Sequence, residues 1–145
     1  MLYLEDIQLN EVHRSRDYTV SPEEIIEFAK MWDPQPFHID ETAAKQHPFG
    51  GLTGSSAHSY SLMTKLLEEM KMEAAVVAAL GVDEMRLPNP LRANDVVHVE
   101  SYIESKRKSS SKPDMGIMVS VNKLINQNSD VILSLKNAGL IMRQP

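Results

Sequence analysis

The run Asp33-Pro34-Gln35-Pro36-Phe37-His38 holds a carboxylate and an imidazole five positions apart. Both side chains exchange protons readily, and imidazole does so within the physiological range. Acid–base catalysis needs two such groups at a fixed separation, so that little ordering is left to do when a substrate arrives. The two prolines favour this. Each fixes its own φ, removes a backbone donor and pushes the preceding residue towards extended geometry. Asp33 and Gln35 are therefore expected to be extended, and the stretch reads as a stiff, non-helical loop. On spacing alone the same residues serve equally as caps of backbone groups, the commoner use of a short polar side chain at a helix end.

Around this loop stand elements that must hold it. Tyr18-Thr19-Val20 reads as a short extended piece. Ser21-Pro22-Glu23-Glu24 follows as a helix start, with a serine cap, proline at the first position and glutamate three residues after the cap. That helix is expected to reach about Trp32, with Ile25, Ile26, Phe28, Ala29 and Trp32 on its buried face and Asp33 emerging at its end. Ile39 to Lys45 allows one or two helical turns, with Asp40 as their cap. Gly50-Gly51 marks a loop in which positive φ or a close backbone approach is available. A longer helix is expected from about Ser55 to Met70. Its small residues Ser55, Ser56, Ala57, Ser59 and Ser61 come early, and the core-filling Leu62, Met63, Leu66, Leu67 and Met70 come late.

Past about Leu80 the pattern changes to strands. Val82 to Leu91 reads as extended and is interrupted at Pro88-Asn89-Pro90. Val96 to Ile103, Gly116 to Ile125 and Val131 to Met142 read as three long strands. Asn94-Asp95 and Asn126 to Asp130 supply turn residues, so antiparallel hairpins are the simplest connections. A long helix followed by a meander predicts a single α+β domain over residues 1–145, with an antiparallel sheet wrapped around a central helix.

Composition excludes several classes of function. The 145 residues suit one domain with a real core, and with no cysteine there are no disulfides, thiolate metal sites or cysteine nucleophiles. A formal net charge of −5 and scattered cations argue against nucleic acid as a partner. The acidic N-terminus is unlike a signal peptide, and the longest apolar run, Ala74 to Leu80, is too short to span a bilayer. A cytoplasmic protein is the expectation. His13, His47 and His98 have no partners at ligand spacing, and no metal motif or glycine-rich phosphate loop is present.

Three groups of residues resemble the MaoC-like dehydratases, relatives of the (R)-specific enoyl-CoA hydratases. They are Asp33-Pro34-Gln35-Pro36-Phe37-His38-Ile39-Asp40 with Ala43-Ala44; Pro48-Phe49-Gly50-Gly51-Leu52 leading through Ser55 to His58; and Gly81 to Arg86 with Lys112 to Gly116. The resemblance implies a hotdog fold and a hydro-lyase of fatty-acid metabolism that adds water to a trans-2-enoyl thioester. It implies Asp33 and His38 as the groups that activate the water, with the backbone N–H of Ser56 as the donor to the thioester carbonyl. Phe37, Phe49, Gly51, Ser55, His58 and Lys112 are the implied substrate contacts, His58 either lining the pocket or simply packing. Lys106 to Lys112 is a solvated turn or a contact for coenzyme A phosphates.

Two departures from the family pattern stand out. Serine occupies position 56, where relatives usually carry glycine, and Gln35 stands where the stricter signature has asparagine. The resemblance implies no cofactor apart from coenzyme A within the substrate, an acyl-CoA or acyl carrier protein thioester as partner, and a homodimer or higher homo-oligomer. A hotdog thioesterase and a non-catalytic acyl-CoA binding module are the alternatives.

Overall fold

Ser21 starts the first helix as its residue types require. In the computed structural model, which describes residues 1–145, its side chain accepts the Glu24 N–H at 3.1 Å, and Pro22 opens α1 (Pro22–Trp32). Ile25 and Ala29 are fully buried. Trp32, expected on the same face, is instead 68% exposed: the core that receives Ile25 does not extend to the last turn.

The Asp33–His38 stretch is only half the loop that its prolines suggest. Asp33 (φ −156°, ψ 71°) and Gln35 (φ −70°, ψ 140°) are non-helical. Pro36, however, begins the helical turn α2 (Pro36–Ile39), which contains His38. A proline at the first helical position loses no hydrogen bond, and its fixed φ suits the turn, so it starts a helix as readily as it stops one. Asp40 then caps α3 (Glu41–Gln46) by accepting the Ala43 N–H at 2.7 Å.

Ser55 caps α4 (Ser56–Glu69), within one residue of the expected span, and Leu62, Met63 and Leu66 form its buried stripe. This stripe lies on an antiparallel sheet of β1 (His13–Arg14), β3 (Val76–Arg86), β4 (Val96–Lys108), β5 (Met115–Ile125) and β6 (Val131–Met142), ordered β1-β4-β5-β6-β3, with β2 (Tyr18–Thr19) also paired to β4. Along β4, Val97, Val99, Ser101 and Ile103 are buried and their neighbours less so, the two-residue period of a strand with one covered face. These valines join Leu124, Leu133, Leu135 and the α4 stripe in one cluster. The chain thus has the α+β hotdog arrangement, around a central helix of 14 residues.

The β5–β6 connection is the expected hairpin: Asn126 Oδ1 accepts the N–H groups of Asn128 and Asp130, and Ser129 takes a positive φ. The other connections differ from expectation. β3 begins at Val76, inside the apolar run that reads as the end of the helical half, and stops at Arg86, before the prolines. It pairs with β6 and does not form a hairpin with β4. Asn94 (φ 67°) and Asp95 instead make a turn into β4, where Asp95 Oδ2 accepts the Arg92 N–H. Every residue of β3 is exposed in the single chain, including Leu80 at 52%. Its pairing to β6 carries three register shifts.

At the far end of the sheet Lys106 Nζ donates to the carbonyls of Leu4, Glu5 and Ile7 at 2.7–3.1 Å and ties the N-terminal segment down. No helix is long and apolar enough to cross a membrane.

Candidate active site

Asp33 sits where α1 stops, its own N–H bonded to the Ala29 carbonyl. Three groups converge on its carboxylate. Gln35 Nε2 donates to Oδ1 at 3.0 Å, Ser55 Oγ donates to Oδ2 at 2.7 Å, and His38 Nε2 faces Oδ2 at 3.6 Å. The Gln35 and Ser55 hydrogen bonds, in that order, and then the nearby imidazole hold the Asp33 carboxyl below its ordinary value. It is a carboxylate at neutral pH.

His38 is buried, and its Nδ1 lies 2.5 Å from the Thr53 carbonyl oxygen. A carbonyl can only accept, so Nδ1 carries a proton and Nε2 is the ring nitrogen turned towards Asp33. In the tautomer with Nε2 unprotonated, two acceptors, Asp33 Oδ2 and His38 Nε2, face one another. A water lying off the line between them can donate one hydrogen to each.

α4 supplies the third component. Ser55 Oγ accepts the Ala57 N–H at 3.2 Å while donating to Asp33, so one side chain fixes the helix start against the acid. The N–H of Ser56 heads the helix, where backbone donors have no intrahelical partner and the helix dipole adds positive potential. A cavity of about 270 Å³ brings together Asp33, His38, Phe37, Phe49 and Ser56. A further wall, Leu87 to Leu91, is the connection from β3 to β4, which sequence patterns left without any role at the site.

The remaining expected contacts fall elsewhere. Gly51 lies in the loop beside the cavity and does not line it. Lys112 is in the exposed turn between β4 and β5, its N–H bonded to Ser109 Oγ, and does not line the cavity. Lys106, in the same basic run, is occupied by the N-terminal carbonyls. His58 is buried against α1, stacked on Phe28 with ring centroids 4.6 Å apart and with Nε2 3.3 Å from Glu24 Oε1. Burial lowers its pKa despite the opposing effect of Glu24, so it stitches α1 to α4 as a neutral ring. His47, for which the sequence offered no partner at ligand spacing, stacks on Phe37 at 4.3 Å and packs at 5.2 Å from Phe49, bracing the two aromatic rings of the cavity. Only its place between two phenylalanines hinted at this. No group of three or more His, Asp or Glu side chains is arranged to hold a metal ion.

Ser55→Ala is expected to act twice. Loss of the cap and of a charge-assisted bond costs about 1–3 kcal/mol of stability, read as a lower denaturation midpoint. Loss of a donor to the carboxylate also raises the Asp33 pKa, which would move the acid limb of a pH–rate profile to higher pH. The sign follows from linkage: a carboxyl depressed in the folded state stabilises it fully above the unfolded pKa, and this stabilisation fades as pH falls through the folded value. Ser55→Ala narrows that window.

The family described as MaoC like domain matches residues 7–123. The MaoC-like dehydratase from Rhodospirillum rubrum is 33% identical, with a TM-score of 0.92 over 100% of this chain and 99% of that one. The (R)-hydratase from A. caviae involved in PHA biosynthesis superimposes with a TM-score of 0.73 at 18% identity, over 97% of this chain and 99% of that one, which is a likeness of fold. The uncharacterised protein YdeM of Bacillus subtilis (strain 168) is 24% identical over 141 residues, 97% of this chain and 99% of that protein.

Proposed function

The chain belongs to the MaoC-like domain family of hydratases and dehydratases, and from that premise we propose that it adds water reversibly to a trans-2-enoyl thioester, giving the (R)-3-hydroxyacyl thioester. The observation that carries this reading is that Asp33 Oδ2 and His38 Nε2 face one another at 3.6 Å, next to the head of α4. A water donating to both is oriented and polarised. Its oxygen bonds to the β-carbon while one of its protons passes to the pair, and a proton from the pair goes to the α-carbon; dehydration reverses each step. Negative charge developing on the thioester oxygen is met by the Ser56 N–H, which needs no reorganisation at that moment. A serine in place of glycine leaves that donor intact.

A thioesterase reading finds less support. Asp33 is the only carboxylate lining the cavity, and on α4 Glu69, near the helix's end, is ion-paired to Arg16 at 2.7 Å and Lys65 at 2.9 Å. The test is to incubate the purified protein with trans-2-enoyl-CoA or the corresponding acyl carrier protein thioester and follow the conjugated enoyl absorbance. Loss of absorbance without thiol release is the expected result; thiol release would point to the thioesterase.

The acting form is a homodimer. The exposed β3, with Val76, Leu80 and Val82, stands beside Tyr60 of α4, and a second copy would bury this apolar face and its unpaired strand edge. Leu80→Glu is expected to shift the protein from dimer towards monomer in sedimentation velocity, because a buried unpaired carboxylate opposes association.

A further inference from the structure

The core stops short of Asp33. Within α1 only Ile25 and Ala29 are buried, and the last turn is open, with Met31 as exposed as Trp32. Apolar packing therefore does not fix where the helix end, and the carboxylate that follows it, stands. On the far side of Asp33 the chain is held by His38, bonded to the Thr53 carbonyl just ahead of α4. On the near side α1 is tied to α4 through His58. The His58 ring lies parallel on Phe28 and its Nε2 meets Glu24 Oε1, and these two residues share a face of α1 at i and i+4. Tyr18 Oη donates to the same Glu24 oxygen at 2.9 Å and keeps that carboxylate in place. His58 lies three residues from Ser55, the donor to Asp33, so the first turn of α4 grips α1 at two levels.

This tie is not the most stable one available. His58 Nδ1 is buried without a hydrogen-bond partner, a defect that an apolar side chain of similar size would not have. We propose that His58 is a positioning residue for catalysis: it holds the end of α1, and with it Asp33, where Ser55 at the head of α4 can reach the carboxylate. The catalytic consequence rests on the hydratase reading, whereas the placement of Asp33 does not.

His58→Leu fills the space without the orphan nitrogen and removes both ties to α1. The melting temperature should stay within a few degrees of the parent's, while kcat for enoyl-thioester hydration falls about tenfold or more with KM little changed, as for a displaced catalytic group. Carbon-13 NMR of the Asp33 carboxyl supplies a readout that does not depend on turnover. Of the groups facing Asp33 only His38 titrates, and it is unaltered. With Ser55 drawn away, the Asp33 midpoint should rise by about half a pH unit or more, and the acid limb of kcat with it. His58→Gln can still donate to Glu24 and should recover part of both effects. Phe28→Leu, at a half-buried position, loosens the same tie from the α1 side and should move Asp33 in the same direction. In a Ser55→Ala background His58→Leu should add little, since both changes act through one bond. An Asp33 midpoint unmoved in both His58→Leu and Phe28→Leu, or losses that multiply in the double variant, would overturn the proposal. Absence of hydration by the parent would overturn the hydratase reading alone, because the Asp33 midpoint still tests the placement.

Discussion

Asp33→Asn is expected to slow enoyl-thioester hydration by about a hundredfold to ten-thousandfold, and His38→Gln by a similar factor. Neither change should unfold the protein. Asparagine can still accept from Ser55 Oγ, and a glutamine at position 38 can donate towards the Thr53 carbonyl as the imidazole does. What each variant loses is one of the two acceptors that hold the water. Because they act on one molecule together, the double variant should be little slower than either single one. Steady-state kinetics on the four proteins, with circular dichroism to establish folding, checks this. Multiplicative losses in the double variant would show that the two side chains act on separate events.

The second large effect concerns stability. Leu66 is fully buried on α4, within the cluster that joins the helix to β4, β5 and β6. Leu66→Ala removes three heavy atoms where helix and sheet are in close contact, and is expected to cost about 2–5 kcal/mol. For a chain of this size that lowers the melting temperature by roughly 5–15 °C. Calorimetry at fixed protein concentration is the measurement, since the midpoint of any chain that associates depends on concentration. A drop of only a degree or two would mean that the cluster repacks around the missing side chain.

What was legible in the sequence follows the reach of each signal. The caps at Ser21 and Asp40 involve residues within three positions and could be read directly. The Asp33–His38 pair is also local, so the neighbouring carboxylate and imidazole were visible, although Pro36 proved to start a turn. The bond from Ser55 to Asp33 spans 22 residues, and no spacing rule reaches that far. The wall at Leu87 to Leu91 joins the site only because β3 crosses to β6. Trp32 has helical spacing and still faces outward, because periodicity gives the side of a helix but not how far the neighbouring core extends. For β3, a short apolar run does not distinguish helix from strand, and its exposure on both faces has no periodic signature.

The pairing of β3 with β6 also governs how the chain is made. β3, the earliest of the four long strands, hydrogen-bonds to the last, and Leu4 near the start bonds to the Met142 carbonyl near the end. On the ribosome the helices can form as they emerge, but the sheet has no partner for β3 until β6 has left the exit tunnel. Such non-local closure makes for slow folding, and it leaves the apolar strand unpaired while β4 and β5 are made. Emergence of β6 therefore sets when this sheet can first close.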